Sequence, residues 1–143
     1  MTAKHLILIP VDGSENAERA VAHVISTLQA GQQAEVHLIN VQPSVRSDVT
    51  MFISKDELND YRRDEAEKAT AGAVKLLKDA GVPYQMHIGL GSPGEVIAGF
   101  AKQLGCTQIV MGTRGLGSAM GLLLGSVANA VVRETDLPVT LVK

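Results

Sequence analysis

Apolar and polar positions along the chain alternate between two rhythms. Leu6-Ile7-Leu8-Ile9-Pro10-Val11 is a short, continuous, branched run, the pattern of a strand buried on both faces. Asp12-Gly13-Ser14 reads as a turn with a helix cap. Ala17, Ala20, Val21, Val24, Ile25 and Leu28 then recur at helical spacing, and Gly31 stops that helix. Val36 to Val41 is a second strand, and residues 42–54, with Pro43 near their start, form a loop. A long helix runs from Lys55 to Ala80 and ends at Gly81. Leu58, Tyr61, Ala69, Ala73, Leu76 and Leu77 lie on one face of it, and Asp60, Arg63, Asp64 and Lys68 on its solvated face. Val82 to Ile88 is a third strand. Ser92-Pro93-Gly94-Glu95 is a capping box with proline at the first helical position. The helix it opens presents Val96, Ile97, Phe100 and Leu104 and ends at Gly105. Thr107 to Met111 is a fourth strand. A glycine-rich segment, Gly112 to Gly125, leads into a last helix from Ser126 to about Arg133, and Pro138 precedes a fifth strand, Val139 to Val142.

This βαβαβαβαβ order predicts one α/β domain over residues 1–143. Its sheet is open, parallel and five-stranded, with helices on both faces. Right-handed crossovers prune the topology to strand order 3-2-1-4-5. The winding direction reverses between strands 1 and 4, and ligands of open α/β sheets bind beyond the carboxyl ends of strands at such a point. Those ends are Val11-Asp12-Gly13 and Met111-Gly112-Thr113.

Composition narrows the partners. Of 143 residues 45% are apolar and 20% charged, which are globular values, and the net charge is -2. Such a balance gives no electrostatic footprint for nucleic acid or an anionic membrane. With 3% aromatics and no tryptophan, a base-stacking platform for single-stranded nucleic acid is not expected. Cys106 is alone, which excludes an internal disulfide and a cysteine zinc cluster. The apolar run Leu6–Ile9 is too short for a signal-peptide core, and no stretch reaches the ~20 apolar residues of a membrane span. A soluble, cytoplasmic protein is the expectation.

Chemistry concentrates in two places. Gly112 to Ser126 follows a strand, opens a helix and starts at the predicted switch point. Its glycines let the backbone approach a phosphate closely. Ser126 and Val127 put amides at the positive end of a helix dipole, and Arg114 adds a cation. The competing reading is a plain loop with an incidental cap at Ser126. The segment is not a Walker A loop, because no Gly-Lys-Ser/Thr follows at the right spacing. Gly89-Leu90-Gly91-Ser92-Pro93-Gly94 fits GxGxxG, but between Glu95 and Glu134 there is no carboxylate to hold a ribose, so it reads as a turn. Asp12 is the second place. A carboxylate there can hold ribose hydroxyls, bind a base, help hold a metal, or share in capping the first helix with Ser14. His5, His23, His37 and His87 share no metal-ligand spacing and read as structural or surface residues. No nucleophile elbow or paired-carboxylate site occurs. A binding cradle without an evident catalytic base favours binding and sensing over turnover.

Two stretches carry a resemblance. Ile9-Pro10-Val11-Asp12-Gly13-Ser14-Glu15, and Ile109 to Gly115 continuing through Leu122-Leu123-Leu124-Gly125-Ser126-Val127-Ala128 to Pro138-Val139, resemble the universal stress protein family. The second contains the family's ATP-binding pattern G-x2-G-x9-G-S/T as Gly112, Gly115 and Gly125-Ser126. Membership of the ATP-binding branch implies a Rossmann-like adenine-nucleotide fold with the strand order argued above. It implies that Pro10, Val11, Asp12 and the Val41 backbone surround adenine and ribose, with Met111 and Gly112 closing the other side. Gly115, Gly125, Ser126 and Val127 would cradle phosphates bridged by Mg2+ or Mn2+. Ser118-Ala119-Met120-Gly121 lacks the basic residue often found there, leaving Arg114 as the loop's cation. The resemblance also implies a homodimer paired through the last strand. Independently, Val139-Thr140-Leu141-Val142 is an apolar edge in the predicted order, which invites strand pairing with a second chain. The expected role is a stress-response nucleotide sensor acting on an unidentified protein partner through its dimer. Alternatives are a slow ATPase or adenylate-forming ligase, and a nucleotide-free interaction module.

Overall fold

The computed structural model describes residues 4–44, 54–113 and 124–143. Within them, strands β1 (His5–Pro10), β2 (Ala34–Gln42), β3 (Tyr84–Leu90), β4 (Gln108–Gly112) and β5 (Val139–Val142) form one sheet in the order β3-β2-β1-β4-β5. Every pairing is parallel. Helices α1 (Glu15–Gln29) and α2 (Lys55–Asp79) cover one face, and α3 (Pro93–Leu104) and α4 (Ser126–Glu134) the other.

Both faces of the central strands are buried, which explains the unbroken apolar run in β1. Ile7 and Ile9 pack with α1 residues Ala17, Val21 and Val24, while Leu8 packs with Ile97 and Ala101 of α3 and with Ile109. β2 divides the same way, with Val36 and Leu38 toward α1 and Ile39 toward α3.

The elements fall where the sequence predicts, with instructive shifts. β3 begins at Tyr84 rather than Val82, because the Val82 amide donates to the Leu77 carbonyl and is spent closing α2. Ser92 is the N-cap of α3 but makes no side-chain cap bond, so the expected capping box does not form. The α2 stripe also differs. Leu58, Ala66, Thr70, Ala73 and Leu77 are the buried positions, and Tyr61 is 59% exposed. Steps of four and three from Leu58 run through position 62, so Arg62, not Tyr61, lies on the inward face.

Candidate functional site

The carboxyl ends of β1 and β4 meet the first turns of three helices. The Val11 amide donates to the Ile39 carbonyl at 2.8 Å, which extends the β1–β2 ladder one residue past the strand. The chain then turns. Asp12 Oδ1 accepts from the Ser14 amide at 2.9 Å, and Ser14 Oγ accepts from the Ala17 amide at 3.2 Å. Ser14 is therefore the cap of α1, while Asp12 shapes the turn leading into it and keeps an exposed position.

On the β4 side the chain passes very close to α1. A Cβ at Gly112 would sit 2.7 Å from Asn16 Cβ and 3.0 Å from the Asn16 carbonyl oxygen. Thr113 then donates to the Val142 carbonyl at 3.0 Å and accepts from the Gly125 amide at 2.7 Å. The two ends of the glycine-rich segment are thus tied together. Gly125 is the N-cap of α4, with φ of -64° and no side-chain cap bond. The first intrahelical bond runs from the Asn129 amide to the Gly125 carbonyl, so the amides of Ser126, Val127 and Ala128 have no acceptor within the helix. The first turn of α4 carries no acidic residue, whereas the first turns of α1, α2 and α3 do. The positive end of its dipole is accordingly not neutralised from within the helix.

Between these tips lies a cleft of about 200 Å³. Val11, Ile39, Val41, Ile97 and Met111 give it an apolar interior, and Asp12, Ser14, Thr113 and Ser126 supply polar groups. Pro10, Val11, Asp12, Val41, Met111, Gly112, Gly125, Ser126 and Val127, singled out from the sequence, all line this one cleft. Arg114 and Gly115 lie outside the described residues. Thr113, at the strand end expected to meet a ligand, lines it too, whereas sequence reasoning missed Ser14, Ala17, Ile39, Pro93, Ile97 and Ala128. Ser14 and Ala17 were within reach, as the first turn after β1. Pro93 and Ile97 carry no local signal, because α3 is brought to the cleft by packing on α4. There Gly94 lies so close to Ala130 that an added Cβ would come within 2.3 Å of the Ala130 Cβ.

Away from the cleft, parallel register brings two histidines together. His37 Nδ1 and His87 Nε2 are 2.9 Å apart with the rings stacked, and His37 Nε2 lies 3.2 Å from Glu35 Oε1. Lys4 pairs with the other Glu35 oxygen at 2.7 Å. Burial, and then the charge of His37, depress the His87 pKa. The bond to Lys4, and then that to His37, depress the Glu35 carboxyl. Among the described residues no group of three side chains is placed to hold a metal ion. Cys106 is buried, and burial raises its thiol pKa, so it is no activated nucleophile. No helix among the described residues is long and apolar enough to cross a membrane.

Fold and cleft together define a doubly wound α/β domain with a pocket at its topological switch point. The sequence pattern of the universal stress protein family matches residues 5–143. Universal stress protein MJ0577 of Methanocaldococcus jannaschii is 30% identical over 151 residues, covering 96% of this chain and 93% of the relative. Its solved structure superposes with a TM-score of 0.80 at 32% identity, over 99% of this chain and 97% of the other. A universal stress protein of Thermus aquaticus is 36% identical over 140 residues, covering 96% and 97%. A universal stress protein of Archaeoglobus fulgidus, solved in complex with dAMP, shares the fold at 21% identity, with a TM-score of 0.69 over 100% of both chains. This chain belongs to the universal stress protein family.

Proposed function

We propose that the cleft binds ATP and that the protein acts as a nucleotide-dependent stress-response sensor, working as a homodimer on a protein partner. One observation carries the binding reading. An apolar slot, a carboxylate and a helix N-terminus without its own anion converge on one cleft at the switch point. Val11, Ile39, Val41 and Met111 suit a purine base, Asp12 suits ribose hydroxyls, and the amides of Ser126 and Val127 suit phosphate oxygens. The dAMP complex of the Archaeoglobus relative supports an adenine nucleotide as the ligand class. Mg2+ or Mn2+ would bridge the phosphate oxygens of the bound nucleotide. Asp12 is the carboxylate among the described lining residues, and no histidine joins it. Binding, with nucleotide shifting the population of partner-competent states, is the reading that residue set favours.

The dimer reading rests on β5. It is the sheet's edge among the described strands, and all four of its residues are only half-buried. The bonds from Ile109 N to Pro138 O and from Thr113 N to Val142 O direct the Pro138, Thr140 and Val142 backbones toward β4. The Val139 and Leu141 backbones then face outward, open to a second copy. Sedimentation equilibrium should return the mass of two chains, and a monomer at all concentrations would remove this part.

The binding test is direct. Protein stripped of nucleotide by denaturation and refolding is titrated calorimetrically with ATP and Mg2+, beside Gly125→Val. Saturable one-to-one binding that the variant lacks is the expected result. Absence of binding by the wild-type chain overturns the reading.

A further inference from the structure

Asn40 is a polar side chain where an apolar one would pack. It shares a face of β2 with Val36 and Leu38 and is 6% exposed. Both polar atoms of its amide are engaged. Nδ2 donates to the Val11 carbonyl at 2.9 Å, and Oδ1 accepts from Gln42 Nε2 at 3.1 Å. Gln42 Nε2 also donates to the Arg62 carbonyl of α2 at 2.8 Å, and the Gln42 carbonyl accepts from the Gly91 amide at 2.9 Å. The two carbonyl acceptors fix both amide orientations without ambiguity. A relay therefore runs from α2, through Gln42 and Asn40, to Val11.

Val11 lines the cleft, and both its backbone polar groups are now accounted for. Its amide bonds Ile39 and its carbonyl bonds Asn40. Fixing that carbonyl fixes the plane of the Val11–Asp12 peptide, and with it the direction in which Asp12 leaves the strand. Burying an amide costs free energy unless every hydrogen bond is made. A chain that needed only a packed core at position 40 would be served by leucine or valine.

We propose that the Asn40–Gln42 relay aims Asp12 into the cleft, which makes Asn40 a positioning residue for the nucleoside end of the bound nucleotide. The inference rests on the nucleotide reading above. It places regulation at the same spot, since a displacement of α2 at Arg62 reaches Asp12 through side-chain hydrogen bonds.

Asn40→Asp tests it. The shape is kept, but at about pH 8 an oxygen replaces the donor facing the Val11 carbonyl. Affinity for ATP and for adenosine should fall about tenfold relative to wild type, while inorganic tripolyphosphate, which lacks the nucleoside, binds as before. Burial raises the pKa of the introduced carboxyl. Toward about pH 5.5 its O–H can donate to the Val11 carbonyl, and the deficit should shrink. A merely structural defect would weaken tripolyphosphate as well and would not be rescued by acid. Gln42→Leu, at a half-buried position, is the milder second variant and should weaken adenosine about two- to threefold without affecting tripolyphosphate. Wild-type affinity in both variants, or equal loss of tripolyphosphate, overturns the proposal. If the wild-type chain binds no nucleotide, the functional reading fails by itself. Hydrogen exchange at the Ser14 amide, which bonds Asp12, then decides the relay. Faster exchange in Asn40→Asp over an unchanged core supports it, and unchanged exchange overturns it.

Discussion

Gly112 and Gly125 bracket the cleft for different physical reasons. Neither takes a left-handed conformation, whereas the turn glycines Gly13 and Gly91 do. At Gly112 the constraint is proximity, because its Cα hydrogens face the Asn16 backbone. Gly112→Ala must push α1 away from β4, and such overpacking typically costs about 1–3 kcal/mol. The urea midpoint should drop accordingly, and ATP affinity should fall with it, since the displaced turn carries Ser14 and Ala17. At the other bracket, Ser126→Asp separates stability from binding. A carboxylate in the first turn of α4 complements its dipole and should stabilise the fold by about 0.3–1 kcal/mol. The same charge occupies the proposed phosphate site and should weaken ATP about tenfold or more. A higher thermal midpoint with weaker calorimetric binding is the expected pair. Stronger binding would show that the phosphates do not sit there. Single residues were unevenly legible. Asp12 stood out because it lies in the turn from β1 into α1, and Ser126 because it opens α4 after the glycine-rich segment. Tyr61 was misplaced because helical spacing near Leu58 fits two adjacent stripes, and only packing chooses between them.

At the scale of elements, the β2–β3 pairing shows what periodicity leaves out. His37 and His87 lie 50 positions apart and meet because two parallel strands align Ile39 with His87 and His37 with Gln85. No local spacing announces such a pair. Its consequence is acid sensitivity. The folded-state pKa values of His87 and Glu35 both lie below their ordinary values of 6.5 and 4.5. The unfolded chain therefore binds more protons, and stability rises with pH through each window. The His87 contribution is present above about pH 6.5 and is lost as pH falls below that toward the depressed value. The Glu35 contribution is lost lower, below about pH 4.5. Chemical denaturation should show a falling midpoint from pH 7.5 to pH 5.5, and His87→Leu should flatten that slope. An unchanged slope in the variant would place the sensitivity elsewhere. The charged groups around the pair are Lys4 and Glu35, and on the α3 side Phe100 packs against the His87 ring.

For the molecule as a whole, strand order, helix placement and the position of the cleft were legible because they follow from chain direction and handedness. Unbroken apolar runs mark strands buried on both faces, and a right-handed βαβ succession leaves few ways to order them. The contribution of α3 was not legible. Pro93 and Ile97 reach the cleft through the Gly94–Ala130 contact, a tertiary fit between two helices with no mark in either one alone. A different kind of freedom follows from the short bond between Thr113 and Gly125. It staples the two stems of the glycine-rich segment, so the framework already bears the cost of bringing the ends together. Chain statistics then charge only about 0.6 kcal/mol for each doubling of what lies between them. Residues 114–124 can therefore diverge in length and composition as a replaceable cassette. Descendants of one ancestral scaffold could gain, retune or discard a ligand there while the remaining architecture is inherited intact.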